Sequence, residues 1–477
     1  MKKIDINKIP VQVRATIAYT ISSLLSQGLI FLTTPIFTRI MNTSEMGTVT
    51  TFNAWNGILI NIVTLSLCSG AFNIAMLEYS DKRDRYVASM LGLSTVSTVL
   101  FGIIYFMFYK QWNSVFTLST PLMIVMFLGF LINPGKDLWM ARKRYEYKYK
   151  EFLIVSVVTS VLAVFVSVVA VFGISKLNRY DLGSVRVVFN GITVCLASLP
   201  IYIYVFYKGK CFYDKKFWKY AIVINTPLII HALSKHILDM SDRLMISNMC
   251  GKSQVGIYGV LYTVSSLSII VWNAINQSLV PYIFQCMKNK DIQKIRKITI
   301  SILVLYGGCS VGLSLIAPEI VRILATEEYF EAIYIMPPIA AGIFLTSIYS
   351  LFSTVTLYYK KTNYIMYATL FSAISNVLLN FIFIKKYGYM AAAYTTLVAY
   401  IILTIFQYIY MCKCTNEKIY NTGKIVVLSM IVIALNLVCI FLYKSYFARY
   451  CVISVMILIV GFKHKKIIKI INDLRNK

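Results

Sequence analysis

Residues 15–37 read ATIAYTISSLLSQGLIFLTTPIF, a largely apolar run without a charged side chain. The hydrocarbon core of a bilayer is crossed by about 20 such residues in one helix. The run is too long for a signal peptide and lacks a small-residue cleavage site. We therefore predict a membrane-spanning helix here, and similar runs recur to the end of the chain.

The composition of the whole chain is that of a membrane protein. Of its 477 residues, 58% are hydrophobic and 14% are charged, and the mean hydropathy is +0.71. A soluble protein carries about 45–50% apolar and about 25% charged residues. This composition excludes a soluble enzyme, a nucleic-acid-binding factor and a secreted disulfide scaffold.

The apolar runs predict an all-α polytopic membrane protein with about fourteen transmembrane helices. Continuous apolar runs favour helices over the alternating strands of a barrel. The predicted spans lie near 15–38, 48–77, 86–108, 116–138, 152–174, 185–207, 218–241, 254–284, 298–318, 332–358, 363–384, 388–411, 424–443 and 446–462.

The basic residues predict the orientation of these spans. With the N-terminus in the cytoplasm, the 47 Lys and Arg residues divide nearly three to one in favour of the cytoplasmic side, as the positive-inside rule requires. We therefore predict cytoplasmic N- and C-termini. Topology and attraction to anionic lipid head groups explain the net charge of +28, so we expect no nucleic-acid partner.

The loops and motifs favour a transporter over an enzyme. The longest predicted outward loop runs from Pro318 to about Glu331, too short for an external catalytic domain. The sequence has no phosphate-binding P-loop and no zinc-type H-E-x-x-H motif. The ten cysteines are scattered through mostly apolar runs, which is typical of packing residues. We predict no enzymatic activity, no metal and no cofactor.

The seventh predicted span carries an unusual polar stripe. His231, Lys235, Asp239 and Asp242 fall on one helical face, and Arg243 follows Asp239 by four residues. Charged groups at membrane depth cost several kcal/mol and therefore tend to face a cavity or a partner. We expect Asp239 and Arg243 to pair, while Lys235 faces the interior. The alternatives are that Lys235 extends to the membrane surface and that His231 bonds a neighbouring helix.

Amide side chains mark two further spans. Asn53 and Asn56 share a face of the second span, while Asn273 and Asn276 lie in the eighth. Amides bind sugar hydroxyls, but they also hold helices together, and the sequence leaves both roles open. Prolines inside spans, including those at 35 and 281 and the pair at 337–338, are candidate kinks for gating.

Two short stretches, one in each half of the chain, have similar sequences. Residues 38–47 end the first span with Arg39 and Gly47, and residues 242–258 end the seventh with Arg243 and Gly256. This similarity predicts two pseudo-symmetric six-helix lobes around a central cavity. We assign them to residues 1–207 and 208–411, with two extra helices and a basic cytoplasmic tail at 412–477.

Several stretches in order resemble the polysaccharide-biosynthesis flippases, O-antigen type included, of the multidrug/oligosaccharidyl-lipid/polysaccharide (MOP) exporter superfamily. They are TPIFTRIMNTSEMG (34–47), GAFNIAM (70–76), SDRLMIS (241–247), VGIY (255–258), QSLVPY (277–282) and GYMAAAYTT (388–396). The resemblance covers about residues 15–411.

The resemblance implies transport of a polyprenyl-diphosphate-linked oligosaccharide across the bacterial cytoplasmic (inner) membrane by alternating access. The product would serve O-antigen, lipopolysaccharide, capsule or exopolysaccharide synthesis, with membrane lipids and polysaccharide polymerase or assembly proteins as partners. The resemblance assigns Arg39 and Arg243 as basic residues that match the family, and Arg14 as a contact for the diphosphate at the inner entrance. The alternative role for Arg39 and Arg243, which lie near the outer ends of their spans, is to close an outer gate by pairing with Glu45 or Asp242.

Two other functions compete with this reading. A cation-coupled multidrug or small-molecule antiporter of the same superfamily would favour buried acids in the N-terminal lobe, where Asp137 is the one acid in the predicted spans. A membrane glycan polymerase or ligase would require an external catalytic loop. The coupling ion stays open, with His231, Asp239, Asp242 or the membrane potential as candidates.

Overall fold

The computed structural model describes residues 11–68, 70–177, 179–415 and 417–462, and this part of the chain is all-helical, without strands. It contains eighteen α-helices within those ranges. They are α1 (Val11–Ile40), α2 (Thr43–Val63), α3 (Gly70–Glu78), α4 (Arg83–Met107), α5 (Tyr109–Phe116), α6 (Thr120–Tyr145), α7 (Tyr149–Ser175), α8 (Leu182–Gly209), α9 (Lys215–Met249), α10 (Lys252–Ser265), α11 (Leu267–Lys288), α12 (Ile292–Leu315), α13 (Ala317–Leu324), α14 (Met336–Tyr358), α15 (Thr362–Tyr387), α16 (Ala391–Cys414), α17 (Thr422–Leu442) and α18 (Tyr446–Phe462).

The number of long apolar helices confirms a multi-pass membrane protein. Among the described residues, eleven helices are long and apolar enough to cross a membrane, or twelve when a bent pair counts as one span. The difference from the fourteen predicted spans lies at α2–α3 and at α18, whose apolar part Tyr446–Met456 is short. The basic tail after residue 462 lies outside the described residues.

The second predicted span, 48–77, is divided into two helices. α2 ends at Val63 and α3 begins at Gly70. Between them Leu65 and Ser66 adopt positive φ angles of 56° and 47°. Such angles are incompatible with a continuing right-handed helix. A long apolar run therefore does not by itself form one continuous helix.

Prolines act differently at different positions. The two halves of α9 meet at 46° between Thr226 and Leu228, where Pro227 lacks the N–H that an unbroken helix requires. Pro35 and Pro281 lie within α1 and α11. Pro337 and Pro338 occupy the first turn of α14. Proline in a first turn removes no helical hydrogen bond, so this pair marks the start of α14, and its role in gating stays a prediction.

The chain divides into two compact units, Met1–His236 and Ile237–Lys477. In the first, α1 packs on α7 and α6 packs on α8, and the hydroxyls of Ser22 and Ser26 bond those of Ser156 and Ser160 at 2.6 and 3.1 Å. Small hydroxyl side chains allow this close approach of membrane helices. The predicted division at 207/208 and 411/412 stays a prediction.

The second unit is centred on α14. This helix packs on α16, α12 and α17, and α15 packs on α16. Most residues of α14 are buried, as expected for a helix surrounded by others. The extra helix α18 is held by Arg449, a fully buried side chain that forms an ion pair with Glu319 of α13.

Candidate functional site

A buried charged cluster surrounds Arg243 in the second unit. Arg243 is 7% exposed, and Asp242 beside it is fully buried. Nη1 of Arg243 lies 3.7 Å from Oδ1 of Asp242, while the Tyr258 hydroxyl donates to Oδ2 of the same carboxylate at 2.6 Å. We name the Arg243 cluster by its members: Asp239, Asp242, Arg243, Tyr258, Tyr262 and Tyr400.

Aromatic rings complete the Arg243 cluster. The guanidinium carbon of Arg243 lies 4.1 Å from the centre of the Tyr262 ring, which is a cation–π distance. The Tyr400 hydroxyl donates to Oδ1 of Asp239 at 3.0 Å and lies 3.4 Å from the Tyr262 hydroxyl. The cluster therefore joins α9 to α10 and α16 through tyrosine hydroxyls that donate to the two carboxylates and through the cation–π contact.

The predicted pairing of Arg243 with Asp239 takes a different form. Arg243 donates from Nη1 to the main-chain carbonyl of Asp239, and its carboxylate neighbour at 3.7 Å is Asp242. A guanidinium buried beside a carboxylate has little surface left for a ligand. Burial therefore favours the gate role for Arg243 over direct substrate contact.

Neutral polar groups extend from the same stretch of α9. We name the amide cluster by its members: Ser241, Asn376, Asn380 and Thr395. The Ser241 hydroxyl donates to Oδ1 of Asn376 at 2.9 Å, and Nδ2 of Asn380 donates to the same oxygen at 3.0 Å. Thr395 donates in turn to Oδ1 of Asn380. Asn376 and Asn380 are fully buried, so these bonds satisfy amides that would otherwise be costly.

The basic stripe of α9 continues into the first unit. His231 and Lys235 are both half-buried. The next residue, His236, approaches α2, because its Nδ1 lies 3.5 Å from where a Cβ on Gly57 would stand. Lys235 is thus a membrane-helix cation with part of its side chain accessible, unlike Arg243.

Glu45 serves a structural junction in the first unit. It forms a capping box with Asn42 at the start of α2, with bonds of 2.8 and 2.9 Å. Its other oxygen accepts the backbone N–H of Leu182, at the start of α8, at 2.9 Å. Capping explains both bonds. Arg39 is exposed and donates to the carbonyl of Pro35 at 3.1 Å.

The remaining predicted site residues are distributed along the helices. Arg14 is half-buried in α1 with an Nε that has no hydrogen-bond partner among the described residues. Asn53 and Asn273 are exposed. Asn56 and Asn276 are half-buried, and the amide oxygen of Asn276 accepts from Ser350 at 3.3 Å. Asn276 thus links α11 to α14, and its role toward a substrate stays a prediction.

Sequence reasoning missed several of the contacts between helices. Arg186 of α8 lies over the ring of Phe37, with 3.7 Å between guanidinium carbon and ring centre. Tyr262 and Tyr400 were missed because the sequence around a tyrosine in an apolar run does not indicate which side chain on another helix it contacts. The signal for Glu45 was present, since Asn42 and Glu45 have capping-box spacing.

Ion pairs join the helix ends at one side of the first unit. Arg142 pairs with Asp84 and with Glu146, the latter at 2.8 Å. Lys148 reaches the second oxygen of Glu146 at 3.1 Å. Partial burial raises the pKa of the Glu146 carboxyl, but the bonds from Arg142 and Lys148 outweigh it and lower that pKa overall.

In the part of the chain that the structure describes, no group of three His, Cys, Asp or Glu side chains could hold a metal ion.

Comparison with protein families gives two matches. The model for polysaccharide biosynthesis proteins matches residues 13–287, more than half of the chain, and the MatE model matches residues 227–382. The capsular polysaccharide biosynthesis protein CapF of Staphylococcus aureus is 23% identical over 227 residues, 45% of this chain and 57% of CapF. The match thus spans little more than half of that relative.

Solved structures share the fold over nearly the whole chain. The lipid II flippase MurJ, in an inward closed conformation, aligns with a TM-score of 0.66 at 16% identity, covering 92% of this chain and all of MurJ. An inward-facing multidrug resistance MATE family transporter of the MOP superfamily gives 0.62 at 14% identity, covering 87% and 99%. A MOP superfamily transporter from Pyrococcus furiosus gives 0.57 at 14% identity, covering 91% and 99%.

Proposed function

The chain belongs to the polysaccharide biosynthesis protein family, and on that premise we propose that it is a flippase for surface-polysaccharide precursors. The predicted resemblance to the MOP superfamily is confirmed by the family and fold matches. The proposed substrate is a polyprenyl-diphosphate-linked oligosaccharide repeat unit, moved across the bacterial cytoplasmic membrane by alternating access. The family match is the observation that carries this proposal.

Accessible cations in membrane helices support an anionic substrate. Lys235 is half-buried in α9, with the half-buried imidazole of His231 four residues before it, and Arg14 is half-buried in α1. A cation at the centre of a membrane helix costs about 2.5–3.5 kcal/mol to insert, so it is retained for a use. A diphosphate head group is at least a dianion, and charge-assisted hydrogen bonds from basic side chains compensate its loss of water.

The site residues divide into two proposed roles. Arg14, Arg39, His231 and Lys235 would contact the diphosphate, while Asn53, Asn56 and Asn273 would offer amides to sugar hydroxyls. Arg243, with Asp239 and Asp242, would hold α9 in position as a gate element. Transport of this kind breaks no covalent bond, so we propose neither an enzymatic activity nor a cofactor.

Deletion of the gene tests the proposal in cells. We expect the deletion to abolish surface glycan and to leave lipid-linked repeat units with sugars facing the cytoplasm, and the wild-type chain to restore display. Normal glycan display in the deletion strain, in the absence of a second flippase, would refute it. Surface immunoblotting and the accessibility of the lipid-linked sugars are the measurements.

The antiporter remains a second candidate because of two separate observations. The MatE model matches residues 227–382, and Asp137 lines a cavity of about 30 Å³ in the first unit with Cys68 and Pro134. A half-buried carboxyl in the N-terminal half is the kind of group that the antiporter alternative requires. Drug sensitivity of the deletion strain, together with unchanged glycan display, would favour the antiporter.

A further inference from the structure

An apolar groove runs between α15 and α16 in the second unit. Its volume is about 510 Å³, within the range of about 300–1,000 Å³ that ligand pockets occupy. The side chains that line it are mainly aliphatic and aromatic, and they include Leu379, Phe383 and Tyr387 of α15 and Ala391, Tyr394 and Val398 of α16.

The groove opens away from the centre of the unit. Phe383, Tyr387 and Tyr394 are 37%, 60% and 43% exposed. In a membrane-spanning helix, exposed apolar side chains face lipid hydrocarbon. Thr395 is the one threonine that lines the groove. Its hydroxyl donates to Oδ1 of Asn380 and to the carbonyl of Ala392 inside the protein. The groove therefore offers its occupant almost only apolar contacts.

Two lysines stand at one end of this groove. Lys385 and Lys386 form the basic last turn of α15 and are exposed. Nζ of Lys386 lies 5.1 Å from the centre of the Tyr387 ring, and that ring stacks on Phe383 at 6.1 Å. The pair belongs to the predicted outer side, where the positive-inside rule disfavours basic residues. An apolar groove with a cationic end complements a lipid that has an anionic head.

We propose that this groove holds the hydrocarbon tail of a polyprenyl diphosphate, with its head against Lys385 and Lys386. The inference rests on the proposed function, because a polar head that crosses the membrane leaves an apolar tail that must stay in the hydrocarbon. The groove supplies a place for that tail along the protein, at the predicted outer end where the translocated head arrives.

Hydrogen bonds link this groove to the interior of the unit. Thr395 in the groove wall donates to Asn380, and the amide cluster continues to Ser241. Ser241 precedes Asp242 and Arg243 of the Arg243 cluster. An occupied groove would thus contact the same hydrogen-bonded network that positions α9.

Site-specific photo-crosslinking of the full chain tests the occupant. Benzoylphenylalanine replaces Tyr394 in the groove or, as control, Ile382, which is 57% exposed on α15 outside the groove lining. The protein in phosphatidylcholine nanodiscs is illuminated with radiolabelled undecaprenyl diphosphate or undecaprenol. We expect several times more labelled adduct at position 394 than at 382.

Charge substitution separates the head from the tail. The double variant K385A/K386A should reduce the position-394 adduct with the diphosphate by about thirtyfold, because two basic residues near an anionic head contribute about 1 kcal/mol each. The adduct with undecaprenol should not change. Equal labelling at 382 and 394, or an adduct at 394 that carries phosphatidylcholine or a second copy of the chain, would overturn the inference.

The same variants distinguish this inference from the proposed function. If the wild-type chain restores glycan display but the position-394 and position-382 variants crosslink equally, the groove alone is refuted. If the position-394 variant crosslinks selectively but the wild-type chain does not restore display, the groove is supported as a lipid site and the proposed function is refuted.

Discussion

Arg243 stacks on Tyr262, with 4.1 Å between the guanidinium carbon and the ring centre. Both side chains are buried, and a desolvated cation–π contact is worth about 2 kcal/mol. This contact stabilises the positive charge of Arg243 in addition to Asp242, which lies 3.7 Å away. It therefore contributes to holding α9 against α10.

We predict that Tyr262→Leu lowers stability by about 2 kcal/mol, because it removes the ring beneath Arg243. The matched variant Tyr262→Phe retains the ring and loses the hydroxyl that lies 3.4 Å from Tyr400, so its loss should be smaller. Thermal unfolding of the purified protein in detergent measures both. Equal losses in the two variants would contradict a cation–π role.

The pair of Arg243 and Asp242 gives a second prediction. Arg243→Met should destabilise the protein by about 3–5 kcal/mol, because it leaves the fully buried Asp242 without its cation. The double variant R243M/D242L removes both charges and should recover much of that loss. A double-mutant cycle on unfolding measures the coupling. Additive losses would show that the two side chains do not depend on each other.

Lys235 gives the prediction closest to transport. Lys235→Ala should abolish surface glycan display while the protein stays at normal levels in the membrane, because the diphosphate loses a cation. Lys235→Arg should retain partial display if charge is what matters. Surface immunoblotting measures display, and Lys252→Ala, an exposed lysine at the start of α10, is the matched control. Normal surface glycan display with Lys235→Ala would contradict the proposal that Lys235 contacts the diphosphate.

Glu146 gives a pH-dependent prediction. Its pKa is lowered in the folded protein, so it stabilises the fold above the unfolded carboxyl pKa of about 4.3, and this contribution disappears as pH falls through the folded pKa. Glu146→Gln should therefore unfold at a lower temperature than wild type at pH 7, with the difference shrinking below about pH 4.3. Exposed Glu328→Gln is the control. A pH-independent difference would contradict this assignment.

The fold could be predicted largely from the sequence, because membrane insertion requires long apolar helices that leave a direct signal. The limits of that signal are local. The run at 48–77 is apolar enough to suggest one span, yet Leu65 and Ser66 adopt positive φ angles that divide it. The effect of a proline likewise depends on its position in the helix, as α9 and α14 show.

The candidate site was less predictable, since contacts between distant helices have no signature in a single sequence. Spacing along one helix correctly grouped Asp239, Asp242 and Arg243. It did not reveal that Tyr258 donates to Asp242 or that Tyr400 donates to Asp239. Those bonds depend on how α10 and α16 pack, so the choice of Asp242 as the near carboxylate of Arg243 emerges only in three dimensions.

Reconstitution tests the central claim most directly. Vesicles containing the purified chain and a polyprenyl-diphosphate oligosaccharide are treated with a membrane-impermeant glycosidase, and the protected fraction of the sugar is measured over time. We predict that lipid placed in the inner leaflet becomes accessible in vesicles with wild-type protein and stays protected in empty vesicles and with Lys235→Ala. The same protected fraction with and without wild-type protein would contradict the account.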